Sequence, residues 1–299
     1  ASGFIGMHLC KKLVEENFDI LALIRNKNSK EASELTKMGI QTIETGNLFE
    51  KKILNINLSR LKCLINLAAL AHVNSKSFKK KTLPSYDINN IENNKKRNFK
   101  NKNLNILHMS SAKVSNKIEN NQTDYSIMKQ KGESIIRKSY KKHIILRPPL
   151  IYGPNVKANF FILMKAIYNN IPLPFKNLTE KRSYMYIENL TDAILFILKK
   201  KYFIGKTYEI SDNCLISNEK LVRLIAKGLG KKIKIFYLNP KIINLMLIVI
   251  GKSELFDKML KEFIVSNKNF IADTGWTPPY HYSEGIKKTC LWYKRTFRI

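Results

Sequence analysis

No two cysteines of this chain stand in a C-x-x-C pair. Cys10, Cys63, Cys214 and Cys290 are scattered, which argues against a disulfide framework or a zinc site and for reduced thiols in a cytoplasmic setting. The histidines (His8, His72, His108, His143 and His281) show no ligand spacing, so no metal is expected. No signal peptide is read. The most apolar run, Ile242–Ile250, is too short to span a bilayer and is bounded by Lys241 and Lys252; it reads as a buried or interfacial helix. Acidic residues are scarce: 23 Asp and Glu face 53 Lys and Arg, a net charge of +30. The surplus is nearly all Lys, dispersed and mixed with Asn. The densest basic run, Lys76–Lys81, is short, and no patch is rich in Arg or interleaved with aromatics. Nucleic acid is therefore not an expected partner. What the charge leaves room for is a weak, salt-sensitive attraction to an anionic membrane or a phosphorylated substrate.

What is present is a core and an alternating pattern. With 299 residues, 44% of them hydrophobic, the chain suffices for one large domain or two small ones. Ala1-Ser2-Gly3-Phe4-Ile5-Gly6 opens at once into an amphipathic helix, as a phosphate-binding βα turn does. No strand precedes it, so the chain reads as beginning inside a motif. Apolar strands are expected at Phe18–Ile24, Gly39–Glu44, Cys63–Ala69, Leu104–His108 and His143–Leu146, with helices between them at Ser29–Met38 and Tyr125–Tyr140. Strands of this kind alternating with helices predict an α/β fold built on a parallel sheet covered on both faces. Ligands of such sheets bind at the carboxyl ends of strands. The opening glycines, Ala68–Ala69, Ser110–Ser111 and Arg147–Pro149 all fall at such ends. Beyond Pro149 the pattern changes. Helices are expected at Ala158–Tyr168 and Asn189–Lys199, a strand near Tyr184–Ile187, and a helix capped by Ser217 running to Leu229.

Between Leu104 and Tyr140 lies the stretch that suggests chemistry. Ser110 and Ser111 end a strand, and Tyr125 and Lys129, four apart, share one face of the next helix. Such a group could handle a proton at a carbonyl or alcohol. In a Lys-rich chain the same Tyr-x-x-x-Lys spacing is equally an exposed helix face.

Taken in order, these pieces resemble the extended short-chain dehydrogenase/reductases of the NAD-dependent epimerase/dehydratase family. Gly3 and Gly6 resemble the second and third glycines of its G-x-x-G-x-x-G turn. Gly46-Asn47-Leu48 stands where the family has Gly-Asp-Leu, and Leu67-Ala68-Ala69 where it has Leu-Ala-Ala. Asn90 falls at its active-site Asn, and Ser110-Ser111, Tyr125 and Lys129 match its catalytic set. Arg147-Pro148-Pro149-Leu150-Ile151-Tyr152-Gly153-Pro154, with Ala158-Asn159-Phe160, is similar to its long signature. Gly275-Trp276-Thr277-Pro278, Glu284-Gly285 and Trp292-Tyr293 match its C-terminal one. Within the family the likeness is strongest to the bacterial polysaccharide branch, which includes UDP-galactose 4-epimerase-like proteins and UDP-4-keto-6-deoxy-N-acetylhexosamine reductases.

The resemblance implies a Rossmann-type doubly wound parallel sheet, its first strand missing from this chain, with a smaller and mostly helical C-terminal substrate lobe. Residues 1–155 and 184–212 would form the NAD(P)-binding domain, and 156–183 and 213–299 the lobe. It implies an enzyme acting at C4 of a UDP-sugar, a 4-epimerase or a 4-keto reductase, with Ser111, Tyr125 and Lys129 as catalytic residues. Ser111 is chosen over Ser110 because it lies three before Val114. Lys129 would lower the phenol pKa of Tyr125 and hold the nicotinamide ribose. NAD or NADP would be held by Gly3, Phe4, Ile5, Gly6, Asn47, Leu48, Leu67, Ala68, Ala69, Asn90, Ser110, Pro149 and Tyr152, together with Tyr125 and Lys129. Arg25 would meet a 2′-phosphate or be an exposed Arg after a strand, and Tyr152 would pack by the nicotinamide or be a core aromatic. Asn159 and Arg182 would take the substrate diphosphate. The family's 4,6-dehydratases place Asp-Glu after the catalytic Ser/Thr; Ala112 and Lys113 stand there, which argues against dehydration. A homodimer is what the family suggests. The alternative is a dinucleotide-binding protein of the same fold with impaired catalysis, since the link from Ser111 to Tyr125 is short and lacks the family's proline-acid loop.

Overall fold

The computed structural model describes residues 1–46, 61–68, 104–115, 124–249 and 261–297. The chain divides into two compact units, Ala1–Pro148 with Thr191–Glu209, and Pro149–Leu190 with Ile210–Ile299.

The first unit alternates strands and helices. Helix α1 (Phe4–Glu15) is followed by β1 (Leu21–Ile24), α2 (Lys30–Lys37) and β2 (Gln41–Glu44). β1 pairs in parallel with β2. Strand β1 starts later than its apolar run, because Asn17 takes a left-handed turn and the Phe18 amide is drawn back to Leu13 O at 2.9 Å. The second ladder is β3 (Cys63–Asn66), β4 (Asn105–Met109), β5 (His143–Arg147) and, further along the chain, β8 (Lys206–Glu209). All its pairings are parallel, in the order β3-β4-β5-β8. Strand β3 is also shorter than expected: Asn66 Oδ1 accepts the Ala68 amide at 3.1 Å, a side-chain turn that ends the ladder. Helix α3 (Asp124–Ser139) follows β4 and a short 3₁₀ turn at Ala112–Val114. Ile106, Leu107 and Ile144–Leu146 are fully enclosed, as strands covered on both faces must be.

In the second unit β7 (Lys181–Tyr186) lies between β6 (Leu150–Tyr152), parallel to it, and β9 (Leu215–Ser217), antiparallel. Around them run α4 (Ala158–Tyr168), α6 (Asn218–Leu229), α7 (Pro240–Val249), α8 (Lys268–Thr274) and α9 (Tyr282–Thr296); α5 (Ile187–Lys200) continues from one unit into the other. Ser217 caps α6 by accepting the Lys220 amide at 3.2 Å. Gly230 ends it at φ +70, where a side chain would be strained. The sequence pattern does not announce β6, β8 or β9. Each is three or four residues long, too short to display a period.

Candidate active site

Two parallel strand ends build the site's floor. Beyond the β4–β5 ladder, Ser110 N donates to Leu146 O at 2.8 Å and Ala112 N to Pro148 O at 3.0 Å. Ser110 and Ser111 are thus carried past the sheet edge on a supported backbone. Ser111 opens the 3₁₀ turn in extended conformation, its Oγ accepting the Lys113 amide at 3.3 Å.

Helix α3 brings the partners. Tyr125 and Lys129 are four apart, and the same step continues to Glu133 and Arg137, so all four lie on one stripe of the helix. Tyr125 is hydrogen bonded with Ser111. Lys129 is buried, and its Nζ donates to Met109 O at 2.6 Å. Burial pulls its ammonium down to about 8, with the Glu133 charge opposing. Burial raises the Tyr125 phenol above its ordinary value, and the Ser111 hydrogen bond works against that rise. The phenol therefore lies above its ordinary value and not below it as the sequence led one to expect, because burial outweighs what lowers it, while the Lys129 ammonium is bonded to the Met109 carbonyl.

Ser110 has a different task. Its Oγ donates to Glu133 Oε1 at 2.5 Å. Glu133 is fully enclosed and accepts three more bonds: Arg147 Nε at 2.7 Å, an Arg147 terminal nitrogen at 2.5 Å and Arg137 at 2.7 Å. Arg147 also donates to Ser115 Oγ at 2.9 Å. Burial alone would raise the Glu133 carboxyl. The bonds from Arg147 and Ser110 and the charges of both arginines outweigh it and hold the carboxyl lowered. This network ties α3, both strand ends and the 3₁₀ turn together. Exposed pairs such as Lys30–Glu34, at 3.9 Å, contribute under ~1 kcal/mol, whereas removing one member of a buried pair costs ~3–5 kcal/mol. Glu133 was not singled out from the sequence. Its signal was there: it continues the Tyr125–Lys129 step by one more turn.

Next to Lys129, His108 is buried and held neutral, pushed down to about 3 by burial and then by the Lys129 charge. Its Nδ1 faces Asn66 Nδ2 at 3.1 Å, and its Nε2 has no partner among the described residues.

The other expected site residues are placed as follows. Gly3 is the exposed N-cap of α1, with no side-chain cap and nothing within 4 Å of where a Cβ would stand. A Cβ on Gly6 would fall 1.9 Å from Ala1 O, so the backbone closes here only around glycine. Phe4 and Ile5 form the first turn, half-buried. An uncapped helix start stripped of side chains fits a pyrophosphate, which takes backbone N–H groups and the positive helix end. Arg25 is exposed directly after β1. Leu67 and Ala68 follow β3, half-buried. Asn47, Leu48, Ala69 and Asn90 lie outside the described residues.

In the second unit Pro149 is buried, and Asn159 is exposed in the first turn of α4. Arg182, on β7, donates to Lys261 O and lies over the Phe263 ring at 5.5 Å. Tyr152 is enclosed, stacked on Phe160 at 5.3 Å. Its hydroxyl donates to Tyr282 O at 3.2 Å and lies 3.4 Å from Asp212 Oδ2. That is the setting of a core aromatic. Asp212 also accepts the Tyr186 amide at 2.9 Å and Asn189 Nδ2 at 2.8 Å. Burial nevertheless pushes its carboxyl up to about 6, against the bonds from Asn189, Tyr186 and Tyr152.

Parallel strands joined by helices, a glycine-opened first helix and a Ser-Tyr-Lys group at a strand end define a Rossmann-type dehydrogenase/reductase class. The chain belongs to the NAD dependent epimerase/dehydratase family, which it matches over residues 1–211. It is 27% identical to a UDP-glucose 4-epimerase of Vibrio cholerae, across 97% of this chain and 92% of that protein. It is 24% identical to an N-acetyl-alpha-D-glucosaminyl-diphospho-ditrans,octacis-undecaprenol 4-epimerase of Escherichia coli O157:H7, over the same shares. Among solved structures, UDP-glucuronic acid 4-epimerase from Bacillus cereus in complex with NAD superposes with a TM-score of 0.72 at 18% identity, covering 99% of this chain and 97% of that one. A Bordetella bronchiseptica enzyme in complex with NAD+ and UDP gives 0.75 at 17% identity, covering 99% and 91%.

Proposed function

We propose that the protein is an NAD(P)-dependent enzyme acting at C4 of a UDP-sugar, as a 4-epimerase or a 4-keto reductase. The observation that carries this reading is the Ser111–Tyr125 hydroxyl pair at the β4 end, with Lys129 one turn along α3.

The nicotinamide, when bound, supplies the hydride exchange with the sugar carbon. The chain's residues supply position and proton traffic. Gly3, Phe4, Ile5 and Gly6 present the α1 amides to the pyrophosphate. Tyr125 gives its phenol proton to the ketone oxygen at C4, and in the reverse direction the phenolate so formed takes the proton of the C4 hydroxyl. Ser111, already bonded to Tyr125, holds the same oxygen in line. The Glu133–Arg147–Ser110 network fixes the strand end that carries Ser111. The turn after Ser111 carries Ala112, buried, and Lys113, so no carboxylate stands there for the proton transfers of a 4,6-dehydration. Asn159 and Arg182 are the groups assigned to the diphosphate, Arg through paired donors.

Incubation with UDP-glucose, UDP-GlcNAc and a UDP-4-keto-6-deoxy sugar, with and without NADH or NADPH, tests the reading. Interconversion of C4 epimers without added reductant marks the epimerase; consumption of NAD(P)H by the keto sugar marks the reductase. Turnover of none of them, with the fold intact, would contradict it.

A further inference from the structure

From Lys220 to Ser253 the sequence carries a run of Lys and Arg and no Asp or Glu. In the same stretch stands α7, whose Ile242, Leu245 and Ile248 are 48%, 63% and 55% exposed, while Ile243 is buried at 4%. The three exposed residues recur at steps of three, so they form one stripe, and Ile243 anchors the helix inward. Just before it, Phe236 and Tyr237 are 43% and 54% exposed. Phe236 is fixed by its backbone, its N donating to Leu173 O at 3.1 Å and its O accepting the Lys176 amide at 3.2 Å. Lys232, Lys234 and Lys241, all exposed, stand on either side of Phe236 and Tyr237 along the chain.

Single exposed apolar side chains are ordinary on protein surfaces; a row of large ones on one helix marks a contact surface. Two occupants fit less well. In a symmetric contact with a second copy the same patch meets itself, which would set lysines against lysines with no acid in the stretch to offset them. A nucleic acid would satisfy the lysines and leave the stripe in water. An anionic bilayer surface answers both features: headgroups for the lysines and the acyl boundary for the isoleucines and leucine.

We propose that this face of the second unit docks on an anionic membrane, with α7 lying in the plane of the interface. The ten residues of α7 rise ~15 Å against a hydrocarbon core of ~30 Å, so the helix rests in the interface and does not cross. The inference stands apart from the proposed reaction.

Cosedimentation of the chain with vesicles of phosphatidylcholine alone, or mixed with phosphatidylglycerol, tests it at low and high salt. The protein is expected in the pellet with the mixed vesicles at low salt, and in the supernatant with phosphatidylcholine alone or at high salt. Ile242→Ser/Leu245→Ser/Ile248→Ser and, separately, Lys232→Glu/Lys234→Glu/Lys241→Glu should each weaken binding about tenfold or more. Unchanged melting would show that both variants fold. Absence of binding to the mixed vesicles, or binding that the apolar variant leaves unchanged, overturns the proposal. So does a wild-type oligomer that the apolar variant converts to monomer without any vesicle binding, which would make the face a contact between copies.

Discussion

Each hydroxyl at the end of β4 has its own partner: Ser110 is bound to Glu133, and Ser111 to Tyr125. Tyr125→Phe should therefore lower kcat by a factor on the order of 10² to 10⁴, and Ser111→Ala by less, with substrate binding little changed. Steady-state kinetics checks both, and equal losses from Ser110→Ala and Ser111→Ala would argue against separate roles. Lys129, its ammonium drawn down to about 8, should lose its charge within the assayable range. Dinucleotide affinity, for which Lys129 is the proposed ribose-holding cation, is expected to fall as pH rises through about 8, and in Lys129→Arg the limb should move upward because the guanidinium stays charged. Ser111 was chosen by the offset to Val114 that the family resemblance implies, and the Tyr-Lys pair by helical spacing; the structure sets Ser111 beside Tyr125. The direction of the Lys129 ammonium was not, because it depends on which carbonyl the β4 end presents. Asp212 has the opposite sign from an ordinary paired carboxylate. Its folded value of about 6 lies above the unfolded 3.8, so the folded state holds the proton longer. Its contribution should destabilise the protein by ~3 kcal/mol as pH rises from about 4 to about 6. Melting temperatures across that range, for wild type and Asp212→Asn, would show the slope and its loss.

At the scale of elements, α3 does most of the organising. Its stripe Tyr125–Lys129–Glu133–Arg137 joins proton handling at one end to a buried charge network at the other. Glu133→Gln leaves Arg147 and Arg137 without their carboxylate and should cost about 3 kcal/mol, read as a drop in the denaturation midpoint. It should lower kcat more than it raises KM, because it loosens the strand end carrying Ser111. A loss of stability with unchanged kcat would make the network structural only. Gly6→Ala drives a Cβ into Ala1 O and should weaken dinucleotide binding, measurable by fluorescence titration with NADH. Long elements with clear periods, α2, α4 and α6, were legible almost residue by residue, the Ser217 cap included. The three short strands were not. β8 becomes a strand because β5 offers it a ladder: Arg147 pairs with Glu209 and Ile144 with Lys206. That is a tertiary cause, invisible to a local pattern.

For the molecule as a whole, the order of motifs was the most legible feature, since no single one decides. A lone Tyr-x-x-x-Lys in a Lys-rich chain says little; followed by Arg147–Pro149, Tyr152-Gly153-Pro154 and Gly275-Trp276, it specifies a family. Tyr152 shows the limit of such transfer. Its place in the signature suggests the nicotinamide, while its ring and hydroxyl are engaged in the core of the second unit. Arg25, exposed after β1, bears on the choice between NAD and NADP: a large preference for NADH in KM would remove the role proposed for it. In the proposed reaction Tyr125 transfers a proton at C4 of a UDP-sugar. Product analysis of wild type and Tyr125→Phe on the three UDP-sugars, with the fold of the variant verified by its melting, tests it most directly. Conversion at C4 by the wild type and its near-complete loss in the variant are expected; equal conversion by both would rule out proton transfer by Tyr125.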